Sequence, residues 1–410
     1  MNSSRSHQPL LYAVYFIYFF NGLSLCFEGA FNPEFKEIFN LGYTQLMFTM
    51  FAKNLPFVLF SLAIGYLAQR LGFKTCLTIA MFLFSAGTLL LVPGLITIHY
   101  GIVLAGFFVI GTGFNFQLVA GNPLLSGLGE PAGSSSRLNL GNALGAIAQI
   151  IAPLIITLIL PAGITSASGK VPYINGIFLT IGFALLLIAT TTLFIKGIDI
   201  TENLSGTRQP DDAAASGNIF RNRRLMMGFM AIFLIIGIEA GIFGLFRNYL
   251  EDPAIAGLSS TQSQRWFTVY FGVFALGRVA GSFIQKKLDP AISLIINVIA
   301  AIFFILVTLL STGILAVVSL ILVGFFIAVF FPTLYSLSIQ GMGKYTAKAS
   351  GLLTMGMLGA AIIPVVQGKL ADLWGLQFSF VLALLPYLYV LYFAILQLPE
   401  RSTKKGLYET

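Results

Sequence analysis

The sequence predicts an all-α membrane protein of twelve transmembrane helices, arranged as two pseudo-symmetric lobes of six. Three observations predict it. The 410 residues are 57% hydrophobic and 9% charged, with a mean hydropathy of +0.90, whereas soluble domains carry roughly 25% charged residues. Continuously apolar stretches recur along nearly the whole chain, each of about 20 residues, the length that crosses about 30 Å of hydrocarbon. Landmark residues then return in matching order in the second half, the mark of a duplicated unit.

Taken in order, the spans cover residues 10–31, 45–67, 75–96, 99–123, 139–161 and 172–195, then 225–249, 266–285, 290–310, 313–336, 347–368 and 376–397. The first is too long for a secretory signal core and lacks a small-residue cleavage site, so it reads as a retained helix. The second holds a lone cation, Lys53, and ends on Gly65, Gln69 and Arg70; the eighth ends on Gly281, Gln285 and Lys286 in the same G-x-x-x-Q-[RK] pattern. Pro123 in the fourth corresponds to Pro332 in the tenth. Gly145 and Pro153 in the fifth have the spacing of Gly356 and Pro364 in the eleventh. Between the sixth and seventh runs the polar stretch GIDITENLSGTRQPDDAAASGNIFRN, which reads as a flexible cytoplasmic linker. The expected division is an N-terminal lobe of residues 1–196, a linker of 197–223 and a C-terminal lobe of 224–410. Runs without alternating polarity exclude a β-barrel reading.

Lys and Arg set the orientation. Sixteen of the 23 fall on segments at the same side as the termini; the opposite loops hold Lys36, Lys170, Arg247, Arg265 and Lys369, and Lys53 and Arg278 lie inside spans. Both termini are therefore expected in the cytoplasm. The net charge of +8 is this inward bias, and with no basic soluble domain a nucleic-acid partner is not expected. Cys26 and Cys76 sit near opposite faces and read as packing residues. No zinc-type cluster, phosphate-binding glycine loop or nucleophile elbow appears, so the residues point to no enzyme and no metal or organic cofactor.

Two carboxylates fall well inside the spans, Glu28 in the first and Glu239 in the seventh, at the spacing that relates Gly145 to Gly356. An ionisable group in hydrocarbon costs on the order of 2.5–3.5 kcal/mol or more and by default marks function. In two-lobed transporters the site lies between the lobes near mid-membrane, so both acids are candidates for proton coupling or solute binding. Lys53, at nearly the depth of Glu28, is a third candidate, and an ion pair between the two is the competing role for both. Candidate solute ligands are Asn21 and Ser24, which share a helix face with Glu28, then Asn115, Gln117 and Asn122 on the fourth span, Asn142 and Gln149 on the fifth, and Tyr335 on the tenth. The same residue types also serve as ordinary glue between membrane helices. The Gly65–Gln69–Arg70 and Gly281–Gln285–Lys286 motifs are candidate parts of the inner gate. Arg278 is expected to snorkel to the inner surface or brace the lobes.

Specific stretches carry a resemblance: NPEFKEIFNLGYTQ, AGNPLLSGLG, SSRLNLGNALG, GIEAGIFGLFRNYL, GRVAGS and FFPTLYSLSIQGMG. Together they resemble the major facilitator superfamily, and within it the fucose/galactose/gluconate:proton symporter branch, over nearly all of the chain. The resemblance implies a secondary transporter that imports a monosaccharide with a proton by alternating access, acting as a monomer in the bacterial inner membrane and driven by the proton gradient. Glu239 matches the branch's G-x-E pattern. Glu28 and Gln117 each stand one position from the polar residues of the branch, with Gly29 and Leu118 at the matching positions. Two other readings stay open: a carrier, by uptake or efflux, for a charged or zwitterionic solute, suggested by Lys53, and a membrane sensor that binds without transporting.

Overall fold

The computed structural model describes residues 3–127, 134–160, 164, 166–194, 219–285, 287–340, 342 and 346–398. Twelve helical segments follow the twelve expected spans. The first six are α1 (Ser3–Ile38), α2 (Tyr43–Leu71), α3 (Phe73–Ile96), α4 (Tyr100–Gly127), α5 (Ser134–Ile159) and α6 (Ala167–Phe194). The second six begin with α7 (Arg223–Glu251), α8 (Ser260–Ile284) and α9 (Pro290–Leu310). Short turns interrupt the rest: α10 runs Gly313–Ile327 and Phe330–Ile339, α11 runs Thr346–Met355 and Gly359–Trp374, and α12 runs Leu376–Ser379 and Leu384–Leu396. The expected linker falls mostly on residues outside this set.

The packing repeats. In the first half α3 lies against α4 and α6, α2 against α4, and α1 against α5; in the second, α9 lies against α10 and α12, α8 against α10, and α7 against α11. The repeated glycines mark two of these crossings. A Cβ on Gly22 would stand 2.1 Å from the Gly145 carbonyl oxygen, and a Cβ on Gly356 would stand 3.2 Å from the Phe233 nitrogen. At Gly22 only a hydrogen lets the backbones approach, and at Gly356 a Cβ would crowd them; small residues are how membrane helices gain contact without a hydrophobic drive.

Among the described residues nine helices are long and apolar enough to cross a membrane. The three that fall short are α2, α5 and α8, and they form the seam between lobes: α2 packs on α11, and α5 on α8.

Two sequence expectations are corrected. The first helix continues past Pro33 to Ile38; proline is tolerated in a membrane helix where neighbours satisfy the freed backbone. Arg247 and Lys170, expected in loops, stand within α7 and α6 and are buried, at 0% and 5% exposure.

Candidate functional site

Glu28 is fully buried about ten residues, or about 15 Å, from the end of α1. Lys53 lies equally deep in α2, and its Nζ forms an ion pair with Glu28 Oε2. The other oxygen, Oε1, has no partner in the protein. Nearby on α1, Asn21 and Ser24 are buried, and the Asn21 Oδ1 is unpaired. On α4, Gln117 is fully buried with neither amide atom paired. Asn115, by contrast, is committed to holding α4 on α2: its Nδ2 donates to the Pro56 carbonyl at 2.9 Å, and its Oδ1 accepts from Ser61 at 3.0 Å. Gln149 is half-buried. The side chains of Asn122 and Asn142 lie outside the described set.

In the second lobe Glu239 is half-buried and enters no ion pair or hydrogen bond among the described residues. Among the described residues, the groups that interact with it electrostatically include Arg278 and Tyr270 on α8 and Tyr387 on α12. The Tyr387 hydroxyl is buried and unpaired. Tyr335 is half-buried against Phe331, ring centroids 6.0 Å apart. Glu28 and Glu239 are thus held separately, each in its own lobe.

Among the gate candidates, Gln285 donates to Thr333 Oγ1 at 2.7 Å within its lobe. Arg278 and Arg70 are exposed and lie over Phe274 and Tyr66, at 4.8 and 4.5 Å. A Cβ on Gly281 would meet Val329, while Gly65 has open space beside it. The Gln69 side chain and Lys286 lie outside the described set. These contacts join neither motif to the opposite lobe.

Among the described residues, the hydrogen bonds and ion pairs that do join the lobes gather at the end away from the termini, here the distal end. Their centre is Arg247 on α7. Its guanidinium donates to Glu34 of α1 at 2.9 and 3.2 Å, to Glu251 at 2.5 Å, to Ser260 at 2.9 Å, and to the Ala30 carbonyl. Lys170 of α6 adds bonds to Glu34 at 3.1 Å and Ser260 at 2.7 Å. Asn32 donates to the Gly244 carbonyl at 2.6 Å, and Asp372 of α11 accepts from Tyr43 and Thr44 at the start of α2. Buried charges persist when paired and multiply hydrogen-bonded, and a bidentate Arg–carboxylate pair meets that condition. Sequence reasoning missed Glu34, Lys170, Arg247, Glu251 and Asp372; the one local signal was Arg247 four residues before Glu251.

The arrangement is a two-lobed bundle sealed at one end by polar contacts that rigid-body rocking could break. It resembles known transporters. Over 397 residues the chain is 27% identical to the glucose/galactose transporter of Brucella abortus, covering 96% of this chain and 95% of that protein. The solved fucose:proton symporter of Escherichia coli matches with a TM-score of 0.63 at 21% identity, covering 96% of this chain and 99% of the other. A bacterial homologue of the human lysosomal transporter Spinster, solved inward-facing and unoccupied, matches with a TM-score of 0.76 at 14% identity, covering 96% and 97%; these two likenesses are of fold. The sequence model of the Major Facilitator Superfamily matches residues 14–358, and the chain belongs to that superfamily.

Proposed function

We propose that the chain imports a neutral monosaccharide together with a proton, by alternating access, as a monomer in the bacterial inner membrane with both termini in the cytoplasm. The observation that carries this reading is the distal seal, in which Arg247 of one lobe grips Glu34 of the other. In that orientation the seal closes the outside, and import requires it to open and re-form in each cycle. The Brucella relative is named a glucose/galactose transporter and the Escherichia coli one a fucose:proton symporter, which supports a hexose-like cargo and a proton as the coupling ion.

Glu239 is the better proton carrier of the two acids. It is free of ion pairs among the described residues, whereas Glu28 is held by Lys53. The same pair neutralises Lys53, which removes the main argument for an anionic cargo. Asn21, Gln117 and the free oxygen of Glu28 offer unpaired hydrogen-bonding atoms, and hydroxyl groups can satisfy them.

The test is uptake into proteoliposomes from a panel of neutral sugars and sugar acids, with and without an imposed proton gradient. Gradient-driven accumulation of one or more neutral hexoses is expected. Accumulation of acids alone would refute the neutral cargo, and binding without uptake under any gradient would indicate a sensor.

A further inference from the structure

Beside the seal the distal end holds a cavity of about 340 Å³, within the roughly 300–1,000 Å³ of small-ligand sites. Its walls come from both lobes, with Glu34 and Lys170 on one side and Glu251, Ser260 and Gln264 on the other. Gln264 is 2% exposed, yet neither its amide nitrogen nor its amide oxygen has a partner in the protein. Leaving such a group unpaired costs on the order of 1–3 kcal/mol. A primary amide offers two donors and one acceptor, the complement of adjacent hydroxyl groups.

The charges around it favour a neutral ligand. Glu34 and Glu251 are matched by Arg247 and Lys170, and Glu37 accepts the Ala167 backbone amide at 3.0 Å. The one cation lining the cavity, Lys170, is thereby already engaged, and an anion there would find repulsion from Glu37 with no unmatched cation in the lining.

We propose that this cavity is a second binding site for a neutral polyhydroxylated solute, at the outer gate itself, and that filling it holds the distal end shut. The inference rests on the sugar-transport reading and adds a regulatory site to it. Opening the seal carries Gln264 away from Glu34 and Lys170, so the site exists only in the closed state. A ligand that binds one state alone favours it by the factor 1 + [L]/Kd, about elevenfold at ten times Kd. External solute at high concentration therefore slows its own import.

Two measurements test this. The first is the initial rate of D-glucose uptake into proteoliposomes across a wide concentration range. The second is a sorbitol titration of purified Trp374→Phe protein, in which Trp266, two residues beyond Gln264 on α8, is the remaining tryptophan. Uptake is expected to rise and then fall several-fold, the fall to vanish in Gln264→Leu, and the Trp266 signal to saturate with sorbitol but not with sodium gluconate. Thr261→Val, also lining the cavity, serves as a second variant if Gln264→Leu fails to insert. A rate that never falls, a fall of equal size in both variants, or an equal fluorescence response to gluconate overturns the proposal. Absence of uptake at every concentration counts against the transport reading instead, because the sorbitol titration reads the cavity alone.

Discussion

The Asp372 carboxylate, near the end of α11, accepts the Tyr43 backbone amide at 2.6 Å and so caps α2 of the opposite lobe. Thr44 adds its amide at 2.8 Å and its hydroxyl at 2.5 Å. First-turn amides have no acceptor within their own helix, and a carboxylate there also meets the positive end of the helix dipole. Gly42, at the cap position, contributes no side-chain bond, so the cap comes from across the lobe boundary and lasts only while the distal end is shut. Asp372→Asn is expected to weaken it by about 1 kcal/mol, shifting the lobe equilibrium roughly fivefold toward distal opening. Thiol labelling of Thr261→Cys reads this, since native Cys26 and Cys76 are buried. A labelling rate unchanged by Asp372→Asn would remove the cap from the gate.

The Glu28–Lys53 pair predicts an asymmetry between single and double substitution. Lys53→Met leaves a carboxylate buried without a counter-charge, which costs about 3–5 kcal/mol. Removing both charges, as Glu28→Gln with Lys53→Met, is expected to recover most of that loss. Thermal unfolding in detergent measures it, and a single variant as stable as the double would mean that the pair contributes nothing in the folded protein.

The helices and the duplication were legible because each rests on local pattern: apolar runs of fixed length, and Gly145 and Gly356 at close helix crossings. The Glu28–Lys53 pair was legible too, since depth along two consecutive helices follows from residue counting. The seal was not. Glu34, Lys170, Arg247 and Asp372 sit at span edges, where a charge reads as a loop residue beside water, and their partners belong to another lobe far along the chain. Burial by a tertiary contact leaves no periodic trace in sequence. The stripe that makes Asn115 a candidate solute ligand says nothing of its bond to the Pro56 carbonyl, which ties α4 to α2.

Glu239→Gln tests the proton route. The amide keeps the size and most of the hydrogen-bonding capacity of the acid but cannot release a proton. Gradient-driven accumulation is expected to disappear while counterflow exchange of preloaded sugar persists, because exchange needs no net proton movement. Accumulation at the wild-type level would exclude Glu239 from coupling and return the role to Glu28.

Arg247→Lys keeps the charge of the seal while removing its geometry. The planar guanidinium meets both Glu34 oxygens at once, and an ammonium cannot reproduce that fork. The variant is expected to lose about 1.4 kcal/mol of closed-state preference, a tenfold shift toward distal opening. Spin labels at Glu37→Cys and Thr261→Cys, on opposite sides of the seam, report it as a second, longer distance. Raising salt from about 0.1 to 1 M should leave the wild-type distance unchanged, because mobile ions screen exposed pairs far more than buried ones and Arg247 is fully buried. Opening of the wild-type protein by salt alone would mean that exposed charges hold the distal end, and a single unchanged distance in Arg247→Lys would mean that the bidentate contact does not.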